Sequence, residues 1–197
     1  MAAFFGAAII FSSCTQETSE GIDFTVTPVQ VVYDMSVLQT DAGNASMRMS
    51  APVMQRFEYE GDSLVQSYEL YPDGFHVDAY TPDGQLETTI DALGARHVTT
   101  KGEESWCAFG DVVVTNHIKG ERITSDTLYW NRAEQTIYTD CYVRLSSPGG
   151  MMQGYGLTSD ERANNSTILR PFDAYGVIRD STSAPYVDTV NMMGPML

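Results

Sequence analysis

The sequence predicts an all-β fold, an open antiparallel β-jelly roll made of solenoid-like stacked pairs of strands. After residue 21, apolar and polar residues alternate in short runs, and almost nothing repeats at helical spacing. Turn-forming Pro, Asp and Gly residues separate these runs. A unit of strand, Gly turn and strand also recurs, because a shift of 29 residues brings Gly110–Val114 onto Thr139–Val143 and Gly120 onto Gly149. Such units bury an apolar face only by stacking, and their irregular spacing favours an open sheet over a closed propeller.

The alternating runs give the strands in chain order. The predicted strands are Val26–Val32, Ser46–Val53, Met54–Tyr59, Leu64–Tyr71, Gly74–Tyr80, Gln85–Ala92, Ala95–Thr100, Ser105–Asn116, Glu121–Trp130, Gln135–Leu145 and Met151–Ser159. The turns Pro72–Gly74 and Pro82–Gly84 place Pro where φ is negative and Gly where φ can become positive. An apolar stripe in Asp23–Leu38 mimics a helix, but its valines and Pro28 favour an extended segment. A final strand or loop is predicted around Ile168–Val190.

The N-terminal residues have the pattern of an export signal. Residues 1–13 are uncharged and mostly small or apolar, and the apolar run is shorter than the roughly 17–25 residues that cross a bilayer as a helix. Cys14 follows Phe11-Ser12-Ser13 as in a bacterial lipobox, where the thiol is acylated, although a stray Cys in an ordinary signal peptide is the alternative. The predicted organisation is a lipoprotein signal peptide at 1–13, a lipidated tether at 14–34, a single β-jelly-roll domain at 35–190 and a C-terminal tail at 191–197.

The charge balance excludes one class of partner. The chain has 26 acidic and 11 basic residues, which gives a formal net charge of −15 at pH 7. A field of this sign repels phosphate backbones and anionic bilayers, so nucleic acid is not expected as a partner. Cys107 and Cys141 permit one disulfide in an exported protein if their strands lie side by side, and otherwise they are small buried strand residues.

The sequence favours a protein that is not an enzyme and needs no cofactor. It contains no Gly-X-Ser-X-Gly elbow, phosphate-binding loop or dinucleotide-binding fingerprint. Glu58 and Glu60 share a strand face and could form the paired carboxylates of a glycosidase, but exposed acids are common in a chain this acidic. His76, His97 and His117 lack the tight spacing of metal ligands, so no metal is expected.

Three neighbouring predicted strands, Ser105–Asn116, Glu121–Trp130 and Gln135–Leu145, carry a candidate ligand-binding row. Ser105–Asn116 has apolar residues on both faces, whereas Gln135–Leu145 alternates more cleanly and points its apolar row inward. If two sheets pack fully, this row is only core. If the sheets splay apart, the row lines a trough for acyl chains, which gain roughly 0.8 kcal/mol per buried methylene. The candidate lining residues are Phe109, Val112, Val114, Ile123, Ile137 and Val143.

An ordered set of segments carries a family resemblance. The segments are Tyr71–Phe75, Leu93–Val98, Ala108–Asn116, Gly120–Trp130 and Ile137–Asp140. Together they resemble the LptC family of lipopolysaccharide-export proteins. The resemblance implies a V-shaped, twisted jelly roll whose apolar interior holds the lipid A acyl chains of lipopolysaccharide. It also implies two kinds of protein partner, the subunits of an inner-membrane ABC transporter and a periplasmic bridge protein of the same jelly-roll fold that pairs through edge strands.

The resemblance predicts a periplasmic protein that takes lipopolysaccharide from the transporter and passes it along the groove towards the outer membrane. Family members insert an N-terminal transmembrane helix into the transporter, whereas here a lipid on Cys14 is expected to anchor the chain to the inner membrane. The residues also allow a secreted jelly-roll lipoprotein that binds or cleaves carbohydrate, with Tyr129 and Trp130 as an aromatic platform. A third hypothesis is a structural lipoprotein that only bridges partners.

Overall fold

Alternating apolar and polar residues form one antiparallel sheet of eleven strands in the computed structural model, which describes residues 27–61, 64–100 and 103–176. The strands are β1 (Gln30–Asp41), β2 (Asn44–Gly61), β3 (Leu64–Tyr71), β4 (Phe75–Tyr80), β5 (Leu86–Ala92), β6 (Gly94–Thr100), β7 (Glu103–Asn116), β8 (Glu121–Asn131), β9 (Thr136–Ser147), β10 (Gly150–Asp160) and β11 (Thr167–Gly176). No helix occurs among the described residues, and the predicted all-β jelly-roll fold is confirmed. The predicted signal peptide, Cys14 and residues 177–197 lie outside the described residues.

The largest differences from the predicted strand bounds are in β1 and β2, since the strand predicted at Val26–Val32 begins at Gln30 and continues to Asp41. β1 contains Val31 and Val32 of the segment predicted as extended, and it pairs with β2 over almost its whole length. β2 runs without a break through Val53 and Met54, where the sequence pattern suggested two separate strands. Because these residues pair directly with Tyr33 and Val32 of β1, the hairpin continues through this point.

The long strands β2 and β7 hold the sheet together. Each pairs with one long neighbour on one side, β1 or β8, and with two shorter strands on the other. β2 pairs with β3 and β4, and β7 pairs with β5 and β6. Since β4 pairs with β5 and β3 pairs with β6, two routes connect β2 to β7. We call these routes the β4–β5 wall and the β3–β6 wall, and side chains from both line one apolar interior.

A bulge lets β7 take part in both walls. Residues before it, up to Phe109, pair with β6, and residues after it, from Val113, pair with β5. Between them, Gly110 and Asp111 have φ of +75° and +48°, and the register with β8 shifts. Gly adopts positive φ at little cost, and a bulge bends the strand that contains it. The strand therefore turns at this point instead of extending one flat sheet.

Buried apolar residues form two clusters of different composition. The aliphatic cluster consists of Val112, Val114, Ile123, Leu128, Ile137, Val143, Leu157, Ala163 and Ile168. The aromatic cluster consists of Ala51, Met54, Tyr71, Phe75, Val77, Ala95 and Trp106, with partly buried Val32, Met35, Met47 and Met49 packed against it. Ile90 and Trp130 pack against both clusters, so the core is continuous.

The internal repeat corresponds to two consecutive hairpins. The first copy is β7 with β8, and the second is β9 with β10. Leu128 and Leu157, which the 29-residue shift superposes, are 4% and 0% exposed and belong to the aliphatic cluster. Each hairpin therefore contributes its inward face to one shared core, as stacked units require.

Candidate functional site

Five of the six predicted lining residues lie together on the inward face of β7, β8 and β9. Val112, Val114, Ile123, Ile137 and Val143 are between 0% and 3% exposed and belong to the aliphatic cluster. The strand register brings them together, because Val114 pairs with Ile123 and the neighbouring strand β9 supplies Ile137 and Val143. In this conformation the row is core.

Phe109 does not join that row, contrary to its predicted place in the groove lining. Its side chain is 36% exposed, on the face of β7 opposite to Val112 and Val114. The ring lies over Gly94, its cross-strand partner on β6, where an added Cβ would approach Phe109 Cε2 to 2.6 Å. An aromatic ring that covers a strand glycine stabilises the sheet. Strict alternation along β7 predicts this outward position, because an odd number of positions separates Phe109 from the inward-facing Val112 and Val114.

The space between the two walls is narrow. It contains a cavity of about 40 Å³. The cavity is lined by Met47, Phe75, Val77, Ala79, Thr88, Ile90, Ala95, Trp106, Ala108, Leu128, Trp130, Ile137 and Glu161. An apolar cavity of about 150 Å³ holds one benzene molecule. An acyl chain therefore needs the walls to separate before it can occupy the interior.

A polar network, which we call the clasp, closes the interior at the β10–β11 turn. Arg162 donates from Nη1 to Glu87 Oε2 and to the Tyr80 carbonyl, both at 2.8 Å. Asn164 donates to Glu87 Oε1 at 2.9 Å, and Asn116 donates to Asn164 Oδ1 at 3.1 Å. The clasp therefore fastens this turn to β5 and to the end of β7.

Burial makes the clasp a strong contact. Glu87 is 8% exposed and Asn116 is 1% exposed. Burial raises the pKa of Glu87, but the hydrogen bonds from Asn164 and Arg162 outweigh it, so the net pKa lies below the usual value. Charge-assisted hydrogen bonds are about twice as strong as neutral ones. Glu161, in the same turn, lines the cavity, so the clasp holds part of the cavity wall in place.

A second hollow, which we call the tryptophan mouth, opens beside the interior. It encloses about 670 Å³, within the roughly 300–1,000 Å³ of ligand pockets. The mouth is lined by Val98, Glu104, Ser105, Trp106, Tyr129, Trp130, Asn131, Arg132, Ala133, Glu134 and Tyr138. Trp106 and Trp130 line both the mouth and the interior cavity, so these two side chains form the boundary between them.

Arg132 makes the contacts that cross the mouth. From the β8–β9 turn it reaches Gln39 Oε1 on β1 and Glu104 Oε2 on β7, each at 3.4 Å. Its guanidinium carbon also lies 5.4 Å from the ring centroid of Trp130. The side chains of Arg132 and Glu104 are 41% and 42% exposed. Long, exposed contacts of this kind contribute about 0–1 kcal/mol, so the mouth is held much more loosely than the clasp.

Other predicted groups do not assemble into a site. Tyr129 stacks on Tyr138 at 5.3 Å, and both rings line the mouth, whereas Trp130 also lines the interior cavity. Because neighbouring residues of a strand point to opposite faces, Tyr129 and Trp130 do not form one flat platform. Cys107 and Cys141 lie on β7 and β9 with β8 between them, and both are free thiols. Burial raises the pKa of the Cys107 thiol.

The histidines have separate partners. His76 contacts Asp91 and Asp78, and His97 contacts Glu69 at 3.2 Å. His117 bonds to the Thr89 hydroxyl at 3.2 Å. Within residues 27–61, 64–100 and 103–176, no three His, Cys, Asp or Glu side chains group as metal ligands.

Of the predicted carboxylate pair Glu58 and Glu60, the structure describes the side chain of Glu58 only. Glu58 contacts Arg56 at 3.4 Å, and this ion pair satisfies it as a surface charge. The side chain of Glu60 lies outside the described part of the structure. Sequence reasoning missed Glu87 and Arg162, and it placed Trp130 in an exposed platform, whereas alternation did put Trp106 on the same face of its strand as Val112 and Val114.

In the part of the chain that the structure describes, no helix is long and apolar enough to cross a membrane. No protein-family model matches the chain, and a search of curated proteins finds no significant match.

Proposed function

We propose that this protein is a non-enzymatic carrier in lipopolysaccharide export. It takes lipopolysaccharide from an inner-membrane ABC transporter and passes the acyl chains along its apolar interior towards the outer membrane. The observation that carries this proposal is the continuous apolar lining between the two walls, which runs from the aromatic cluster into the aliphatic cluster. The resemblance to the LptC family supports the same function.

Loading requires the walls to separate, and the energetics favour the tryptophan mouth as the opening. Contacts of Arg132 there contribute about 0–1 kcal/mol. Burial of one methylene contributes roughly 0.8 kcal/mol, so a few methylenes offset the loss of those contacts. Met35, Met47 and Met49 are partly buried against the aromatic cluster, to which Trp106 belongs, and methionine side chains adapt readily to a new shape.

The ends of the sheet supply surfaces for partners. β1 pairs only with β2, and β11 pairs only with β10 among the described strands. An unpaired edge offers backbone N–H and C=O groups to another strand. In this proposal one edge meets the transporter subunits and the β11 edge adds to a bridge protein of the same fold. A lipid on Cys14 holds the chain at the inner membrane, in the periplasm.

The test is to look for bound lipid directly. Residues Glu20–Leu197, exported in a lipopolysaccharide-producing host and purified without detergent, are expected to carry near-stoichiometric lipid A detectable by mass spectrometry. Val114→Asp should abolish the bound lipid, because it places a charge on the inward face. Val113→Asp is the matched control on the opposite face of the same strand. Circular dichroism confirms folding, and a folded Val114→Asp protein that carries lipid normally would contradict the lining.

One observation favours carbohydrate binding as a second candidate function. Tyr142, Tyr155 and Phe172 form an exposed aromatic group on β9, β10 and β11, with ring centroids 5.9–6.3 Å apart. Gln153 donates to Asp173 at 3.2 Å beside these rings. Aromatic faces next to amide and carboxylate groups suit a pyranose ring and its hydroxyls. Glycan-array binding that disappears in Tyr155→Ala would support this function, and the absence of any glycan binding would exclude it.

A further inference from the structure

The chain has two tryptophans, and both lie where the apolar interior meets the polar mouth. Trp106 is 7% exposed, and its ring centroid lies 6.1 Å from that of Trp130. On the inner side, the two rings adjoin side chains such as Phe75 and Leu128. On the outer side, they adjoin Asn131 and other polar residues. The two indoles therefore mark the level at which the surroundings change from apolar to polar.

Neither indole N–H group has a hydrogen-bond partner among the described residues. The Nε1 atoms of Trp106 and Trp130 are buried and make no hydrogen bond with any described residue. A buried tryptophan N–H usually finds an acceptor, because an unpaired buried donor is costly. Two unpaired donors on neighbouring side chains at one boundary point to an acceptor that a ligand supplies.

The surrounding charges select the kind of acceptor. Glu104 and Glu134 line the mouth with Arg132, and the whole chain has a net charge of −15. A phosphate at the indoles would face these carboxylates without enough positive charge to compensate. A neutral carbonyl oxygen has no such penalty. In an acylated saccharide, ester and amide carbonyls lie between the acyl chains and the sugar, and tryptophan is enriched at the same level of membranes.

We infer that Trp106 and Trp130 form a subsite for the ester and amide carbonyl oxygens of an acylated saccharide. The indole N–H groups donate to these oxygens, the acyl chains extend into the interior, and the saccharide extends from the mouth into solvent, so that the phosphates of lipid A lie away from Glu104 and Glu134. The subsite rests on the proposed lipid-carrying function and adds to it the groups of the ligand that the protein recognises, the carbonyl oxygens. It also explains why a boundary between apolar and polar surroundings contains indoles rather than phenyl rings.

The test replaces the indoles by rings that cannot donate. Trp106→Phe and Trp130→Phe, alone and together, keep an aromatic side chain at each position. The probe is hexa-acylated lipid A, and binding is measured by native mass spectrometry. Each lost hydrogen bond should weaken binding about two- to tenfold. Tyr175→Phe, which removes a hydroxyl from an exposed ring on β11 that lines neither the mouth nor the interior cavity, is the matched control and should leave the affinity unchanged.

Infrared spectroscopy separates hydrogen bonding from packing. The ester carbonyl stretch of bound lipid A lies clear of the protein amide bands, and a hydrogen bond lowers its frequency. The band should be lower in the wild-type complex than in the double-variant complex. An identical band in both complexes overturns the subsite, whether or not the affinity falls, and leaves the proposed function standing. If the wild-type protein binds no lipid A, the proposed function fails, and the subsite fails with it.

Discussion

The two halves of the core are built from different side chains. The aliphatic cluster consists of branched or small residues, of which Val143 and Leu157 are 0% exposed. The aromatic cluster uses Met54 and large rings, with further methionines only partly buried against it. Branched aliphatic side chains pack in few rotamers, whereas methionine fills irregular gaps and rearranges easily. One half is therefore rigid, and the other can change shape.

The contacts that close the interior also differ between the two halves. Ala163, in the turn that carries the clasp, is itself a member of the aliphatic cluster. The clasp bonds to Glu87 are 2.8–2.9 Å long and mostly buried. Arg132 crosses the mouth beside Trp106 and Trp130 with bonds of 3.4 Å between exposed groups. If the interior opens to admit lipid as proposed, the walls are expected to separate first at the tryptophan mouth, and the clasped half is expected to stay intact.

The largest expected effect concerns the packing of the two halves. Leu157→Ala should lower the free energy of unfolding by about 4 kcal/mol, because the rigid aliphatic cluster cannot fill the cavity. Met54→Ala, at 8% exposure, should cost about 2 kcal/mol, since its flexible neighbours can move into the space. Urea unfolding followed by circular dichroism measures both values. Equal costs would remove the distinction between a rigid and an adaptable half.

The clasp should give the next largest effect. Glu87→Ala leaves the donors of Arg162 and Asn164 without their acceptor, and should cost about 3 kcal/mol. Glu121→Ala is the matched control, since its carboxylate makes no hydrogen bond or ion pair with a described residue, and it should change stability by less than about 0.5 kcal/mol. Similar losses in the two variants would show that the clasp is only a surface contact.

The contribution of the clasp should also depend on pH in a defined direction. The pKa of Glu87 in the folded protein is below its usual value, because hydrogen bonds outweigh the effect of burial. A lowered folded-state pKa stabilises the protein above the unfolded value of about 4.3, and this stabilisation is lost as the pH falls through the folded value. The stability difference between wild type and Glu87→Gln should therefore shrink on acidification below about pH 4.3. A difference that grows on acidification would contradict this assignment.

Removal of Arg132 should affect lipid uptake more than stability. Arg132→Ala eliminates exposed contacts at 3.4 Å, so the free energy of unfolding should fall by less than about 1 kcal/mol. The rate of lipid A association should rise, because the mouth loses the contact that crosses it. Stopped-flow tryptophan fluorescence can follow this rate. Arg122→Ala, an exposed substitution on β8, serves as the control, and equal rates in both variants would place the opening elsewhere.

Local signals made most of the fold predictable from sequence. Turn residues and alternation located the strands, and parity along β7 placed Val112 and Val114 inward. The same parity places Phe109 outward. Its assignment to the groove was wrong because the apolar character of the side chain was given more weight than its position in the strand. The clasp gave no sequence signal, because Glu87 and Arg162 are separated by 75 residues. Its partners become neighbours only after long-range strand pairing.

The smallest expected effect comes from His76, on the outer face of the β4–β5 wall. Burial lowers its pKa, but hydrogen bonds to Asp91 and Asp78 outweigh this, and the net pKa is raised. A raised folded-state pKa stabilises the protein fully below the unfolded value of about 6.5, and the stabilisation is lost as the pH rises through the folded value. Because the ring is 39% exposed, solvent screening limits the contribution to about 0.5 kcal/mol.

Urea unfolding of wild type and His76→Gln is measured from pH 5.5 to 9, a range that brackets the usual histidine pKa of about 6.5. The difference in free energy of unfolding between the two proteins should decrease as the pH rises. Asp91→Asn removes the carboxylate that lies 2.7 Å from Nδ1, and should weaken the pH dependence without abolishing it, because Asp78 still contacts Nε2. A difference that is constant across this range would assign His76 a purely neutral packing role. In that case the hydrogen bond between His76 and Asp91 joins β4 and β5 without a net charge on the ring. The charged contacts beside the aromatic cluster would then be those outside this wall, such as Arg132 with Glu104.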